Sequence, residues 1–184
     1  ANIIHHTITP GQVEANSSSG FSVEKINPLK SIESAAYINN DWSATENLNV
    51  SYGVRLTGFS VLGNGSDAYT YDANGDVATT TNYRNNAHVK TYVIVEPRIS
   101  ASYSYSKTAS FKAAYARNAQ NIHLLSNATS ASPTDVWLST TLNTKPEIAD
   151  QISAGWFKNF KDNAYEFNVE TYYKSMLNQI DYKN

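Results

Sequence analysis

Leu48-Asn49-Val50-Ser51-Tyr52-Gly53-Val54-Arg55-Leu56-Thr57 is the stretch that decides the fold. Leu48, Val50, Tyr52, Val54 and Leu56 alternate without a break with Asn49, Ser51, Gly53, Arg55 and Thr57. Successive side chains of a strand point to opposite faces, so this pattern describes a strand with one apolar and one polar face. A helix would instead need apolar residues three and four apart, and no segment shows that spacing convincingly.

Working outward, the same period returns. Val89, Thr91, Val93, Val95, Pro97, Ile99, Ala101, Tyr103 and Tyr105 form one series, opposed by Lys90, Tyr92, Ile94, Glu96, Arg98 and a run of serines. Shorter versions start at Ile32, Phe111, Ile152 and Tyr165, and a short strand at Asn2–Thr9 opens the chain, giving seven strands. The longest alternating run far exceeds the usual strand of ~5–6 residues. Pro97 cannot donate to a ladder, and a local bulge is expected there.

The connections alternate in length. Short turns are expected near Asp41–Glu46, Ser106–Ser110 and Lys161–Ala164, and long connections at about Pro10–Leu29, Leu62–His88 and Leu125–Pro146. With antiparallel neighbours, all short turns fall at one end of the sheet and all long loops at the other. Long strands with that asymmetry describe an outer-membrane barrel with periplasmic turns and extracellular loops. Tyr103, Tyr105, Trp156 and Tyr165 gather at the short-turn end as an aromatic girdle. Arg55, Lys90, Glu96, Arg98, Lys112, Glu166, Glu170 and Lys174 lie on the opposite series, facing a hydrated lumen. On these assignments an arginine at Val54 should cost far more than one at Thr57.

Composition narrows the classes further. The chain has 184 residues, no cysteine, 13 Tyr and a net charge of −2. There is no disulfide framework and no cysteine zinc site, and the balanced charge excludes the basic stripe of a nucleic-acid binder. The longest apolar runs are four residues, such as Tyr92–Val95, so no transmembrane helix is present in the sequence. Seven strands cannot close a membrane barrel, because an open edge in lipid leaves backbone groups unpaired. The expectation is therefore part of a larger barrel, opening on Ala1-Asn2-Ile3-Ile4 as a mature product or a piece of something longer.

Residues across the chain resemble the barrel of TonB-dependent outer-membrane receptors of the Bacteroidetes type. The likeness is carried by Tyr52-Gly53-Val54-Arg55, by Glu96-Pro97-Arg98 with Ser102-Tyr103, and by the run from Tyr115 to Asn127. Pro133-Thr134-Asp135-Val136-Trp137, Lys145–Gln151 and Asn178–Tyr182 complete it. The resemblance implies an all-β, antiparallel transmembrane barrel of about 22 strands around a plug. Residues 1–184 would be part of that barrel domain, with the plug domain outside this chain. It further implies a Gram-negative outer membrane, and active uptake of a scarce nutrient: an iron chelate, a cofactor, a glycan or a peptide. Implied partners are outer-membrane lipid, the TonB complex through a plug segment, and a surface lipoprotein.

Asp135 and Trp137 in an outer loop, and Arg55 and Arg98 in the lumen, are the candidate ligand contacts. For the two arginines the favoured reading is structural ion pairs with Glu96, Glu166 or plug carboxylates. No catalytic residue, cofactor or metal site is expected. His5, His6, His88 and His123 lack a ligand spacing, and Asp72-Ala73-Asn74-Gly75-Asp76 has Tyr83 where a calcium loop needs its twelfth-position acid. It reads as an Asn-Gly turn. Two other readings stay open: a passive or structural barrel without a plug, and a soluble all-β carbohydrate-binding or adhesin module whose apolar faces meet each other.

Overall fold

The computed structural model describes residues 1–9, 27–125 and 136–180. Seven strands make one antiparallel sheet in the order β1-β2-β3-β6-β7-β10-β11. They are β1 (Asn2–Ile8), β2 (Leu29–Thr45), β3 (Leu48–Leu62), β6 (His88–Ser106), β7 (Ala109–Gln120), β10 (Glu147–Phe160) and β11 (Tyr165–Leu177). All seven expected strands are present, each beside its neighbour in the sheet. Four short strands were not anticipated. β4 (Asp67–Tyr71) and β5 (Val77–Asn82) form a hairpin inside one long connection, and β8 (Ile122–Leu125) and β9 (Val136–Ser139) form another inside the next. The connection at about residues 10–26 lies outside the described residues.

The first turn is later than expected. β2 runs on through a register shift at Ser43/Thr45, and Glu46-Asn47 alone turns the chain into β3. The Asp72–Asp76 segment closes the β4–β5 hairpin. Asp72 Oδ1 accepts the N–H groups of Asn74 and Asp76 at 2.9 and 3.0 Å, and Gly75 takes the left-handed conformation at φ 90°. The carboxylate is thus spent on the turn's own backbone.

Pro97 corrects the expectation of a bulge. It pairs in unbroken register with Val54, and the only shift between β3 and β6 lies at Val61/Leu62. A pair exchanging both ladder bonds would need the missing proline N–H. Val54 and Pro97 must therefore be the non-hydrogen-bonded type, with the proline nitrogen turned toward β7. Pairing with β7 ends at Arg98↔Ala116, so no ladder bond is lost.

Registers place the outward face. Leu56, Val95 and Val54, Pro97 pair across β3 and β6, and Ile99, Tyr115, Ile152 and Tyr173 stand in one row across β6, β7, β10 and β11. The unbroken apolar series reaches Val93 on β6, whereas on β11 Ser175 interrupts it above Tyr173, six residues lower by the ladder, with Leu177 beyond the break. Above that row Arg117 donates two hydrogen bonds to Asp150, at 2.8 and 2.9 Å, with the Tyr115 hydroxyl donating to the same carboxylate at 2.7 Å. The apolar belt therefore descends across the sheet, as it must when strands tilt within a barrel. At its lower rim Trp156 Nε1 donates to the Tyr105 hydroxyl at 2.9 Å, Tyr105 packs on Phe111, and Trp156 meets Phe167 edge-on. Of the expected girdle Tyr105 and Trp156 meet here, with Phe111 and Phe167 completing a cluster drawn from β6, β7, β10 and β11. Lys158 also points outward, and its ammonium reaches Thr108 Oγ1 in a short turn at 3.0 Å, away from the belt.

On the inner face β2 and β3 pass close at Gly53. A Cβ there would lie 2.6 Å from the Ile38 carbonyl oxygen and overlap Asn39 Oδ1. Gly53→Ala is expected to force the two strands apart and cost about 1–3 kcal/mol, read as a lower midpoint in urea-driven unfolding from lipid vesicles. An unchanged midpoint would show that the strands relax freely.

Candidate functional site

The inner face carries a cluster of ion-paired charges at the end where the long connections lie. Alternation puts Glu33 on β2, Arg55 and Thr57 on β3, and Glu96 and Arg98 on β6 along this face, and the registers Tyr37↔Arg55 and Arg55↔Glu96 bring them together. Arg55 is the centre. Its Nη2 lies 3.5 Å from Glu33 Oε1, its Nε 3.5 Å from Glu96 Oε2, and Nε also donates to Thr57 Oγ1 at 3.1 Å. Thr57 in turn donates to Glu96 Oε2 at 2.5 Å. Glu96 Oε1 accepts the Ala119 N–H at 3.0 Å, where β7 has parted from β6. One carboxylate thus neutralises a guanidinium and supplies the acceptor that the parted ladder no longer provides.

These residues line a pocket of about 480 Å³ with Arg98, Asn118, Gln120, Asn121 and Ile122. Arg55 is held between two carboxylates. Arg98 is exposed and has no ion pair or side-chain hydrogen bond among the described residues. The pocket therefore presents one uncommitted cation and a rim of side-chain amides. That set can hold carboxylate, phosphate or polar carbonyl groups. Beside it His6 Nε2 lies 3.7 Å from Glu33, and its ring stacks on Phe59.

The β8–β9 hairpin stands over this end. Its stem begins where Thr140 N–H donates to the Asn121 carbonyl at 2.7 Å. The Tyr92 hydroxyl on β6 donates to the Thr141 carbonyl at 2.8 Å, and Asn143 Nδ2 reaches the Tyr69 carbonyl of the neighbouring hairpin at 2.8 Å. His123 is buried, and burial pushes its imidazole below the ordinary value of 6.5, with Glu147 at 3.6 Å opposing. The folded form then binds fewer protons than the unfolded form. Stability of the hairpin is level above pH 6.5 and falls as pH drops through the window between 6.5 and the lower folded value. Amide exchange in residues 122–125, corrected for intrinsic rates, should speed up on acidification over that window, and His123→Gln should abolish the dependence.

Of the four expected ligand contacts, Arg55 and Arg98 meet in this pocket. Trp137 lies on β9 opposite Leu124, 54% exposed and outside the pocket lining. Asp135 lies outside the described residues. The expected pairing of Arg55 with Glu96 is present, whereas Arg98 meets neither Glu96 nor Glu166 in an ion pair. Glu33 and Thr57 were not anticipated. Thr57 is buried within the ion-pair network, so it is a poor site for a tolerated arginine despite facing the lumen. Ser51, exposed and donating to Asp41 Oδ1 at 2.5 Å, meets that purpose. Among the described residues no three His, Asp or Glu side chains are grouped to hold a metal ion.

A tilted antiparallel sheet with a descending lipid belt, an aromatic rim and a polar inner face defines an outer-membrane β-barrel protein. The chain belongs to the TonB dependent receptor-like, beta-barrel family, whose model matches residues 8–184. It is thus of the outer-membrane receptor and transporter kind, not an enzyme family. The chain matches no curated protein and no solved structure.

Proposed function

We propose that the chain is part of the barrel of a receptor that binds a scarce nutrient from outside the cell and imports it actively. The observation that carries this reading is the pocket around Arg55 and Arg98, on the inner face at the end where the long connections lie. The nutrient is an iron chelate, a cofactor, a glycan or a peptide. Arg98 supplies the free charge for it, Arg55 holds the wall, and Trp137 and Asp135 contribute from the loop above. The seven strands belong to a larger barrel, of about 22 strands and of the Bacteroidetes type. A surface lipoprotein partner stands over its loops.

A plug filling the lumen and pulled by the TonB complex fits the lower inner wall. Ser100, Ser102, Ala114, Ser153 and Gly155 line a second hollow there together with Lys112, Phe157 and Glu170, and the small side chains leave room for another polypeptide between the longer ones. The test is genetic. Cells lacking the receptor and cells lacking TonB should share a growth defect on one medium within a panel of single-nutrient limitations. Arg98→Ala in the full receptor should reproduce that defect while leaving its amount in the membrane unchanged. A defect independent of TonB would favour a passive barrel.

A further inference from the structure

Three buried polar atoms at the stem of the β8–β9 hairpin have no hydrogen-bond partner among the described residues: Asn121 Oδ1, His123 Nε2 and Thr140 Oγ1. Their residues are 6%, 5% and 1% exposed. The bond from Thr140 N–H to the Asn121 carbonyl sets these two residues opposite each other, and the register continues as Ile122↔Ser139 and His123↔Leu138. His123, two residues beyond Asn121, shares their face by alternation. Opposite Cβ atoms in such a pair stand ~5 Å apart and diagonal ones ~7–8 Å. One small group between them can reach all three side chains.

The chemistry of the three atoms selects that group. Glu147 Oε2 lies 3.6 Å from His123 Nδ1, which favours the proton on Nδ1 and leaves Nε2 as a bare acceptor. Asn121 Oδ1 only accepts, whereas the Thr140 hydroxyl donates. The set therefore asks for a group with two donors and one acceptor. A water molecule supplies that set, and about three bonds is the usual number for a buried water. A carboxylate or phosphate would bring lone pairs against lone pairs.

We propose that one buried water molecule is part of the hairpin stem, donating to Asn121 Oδ1 and His123 Nε2 and accepting from Thr140 Oγ1. It ties the first residue after β7 to the strand that returns from the loop. Asn121 and Ile122 line the pocket above the sheet, so this water holds the pocket's roof to its wall.

Thr140→Val in the full receptor tests it, because the two possibilities give opposite signs. If the hydroxyl bonds a water, valine removes that bond, and amide exchange at residues 122–124 should quicken about tenfold. If the hydroxyl is a true orphan, valine relieves it and exchange slows. Combining Thr140→Val with Asn121→Leu should give less than the product of the single effects. A crystal structure of the receptor should show a density peak within hydrogen-bond distance of all three atoms. Slower exchange in Thr140→Val would overturn the proposal. So would an empty site, a side chain in that place, or protection that appears only on adding zinc chloride.

Discussion

Phe59→Ala is expected to cost about 3–5 kcal/mol. Phe59 is 0% exposed and is the bulkiest of the fully buried side chains among the described residues. It stands on the inner face of β3, paired with Glu33 on one side and Tyr92 on the other, with the His6 ring stacked on it at 6.3 Å. Those neighbours belong to three strands besides its own, β1, β2 and β6, so the ring is the packing centre of the end where the long connections lie. Its removal leaves a cavity under Glu33, and Glu33 orients Arg55. The expected result is a large drop in the unfolding midpoint together with faster exchange in β1. A loss below about 1 kcal/mol would mean that the end collapses around the smaller side chain.

Val54→Arg is expected to cost about 2–4 kcal/mol, against less than about 1 kcal/mol for Ser51→Arg three residues away. Val54 faces outward among Ile38, Leu56 and Pro97, near the middle of the belt. A guanidinium there must leave water or drag it into the bilayer. Ser51 faces the lumen beside Asp41, where a cation meets solvent and a carboxylate. Refolding into phosphatidylcholine vesicles, scored by the fraction that resists heat-shifted migration on a gel, gives both numbers. Equal costs would remove the assignment of faces, and with it the barrel reading in favour of a soluble sheet.

The long strands were legible because alternation over ten or more residues has only one structural meaning. The hairpins within the loops were not. β5 reads Val77-Ala78-Thr79-Thr80-Thr81-Asn82, which offers no apolar face to a periodicity test, and its pairing with β4 rests on contacts such as Thr70 to Thr79. Pro97 misled because a sequence does not say toward which neighbour a given nitrogen points. That depends on register and on where the flanking ladder stops. The site was half legible for the same reason. Arg55 and Glu96 appear as inner-face charges in the sequence, but Glu33 joins them only through the pairing of β2 with β3. Thr57 looks like any other small polar residue until Arg55 and Glu96 are seen to share its hydroxyl.

The descent of the apolar belt from Val93 on β6 to Tyr173 on β11 has a geometric outcome for the completed wall. A level waterline drawn on this sheet crosses the ladder rows obliquely, like a contour on a screw thread. When the ends of such a thread are joined, the first and last turns must meet with a fixed vertical offset, and that offset together with the strand count sets the diameter. These seven strands therefore already carry the pitch of the whole. Any neighbours completing the ring must continue the same drop per strand, or the oily ribbon would fail to meet itself.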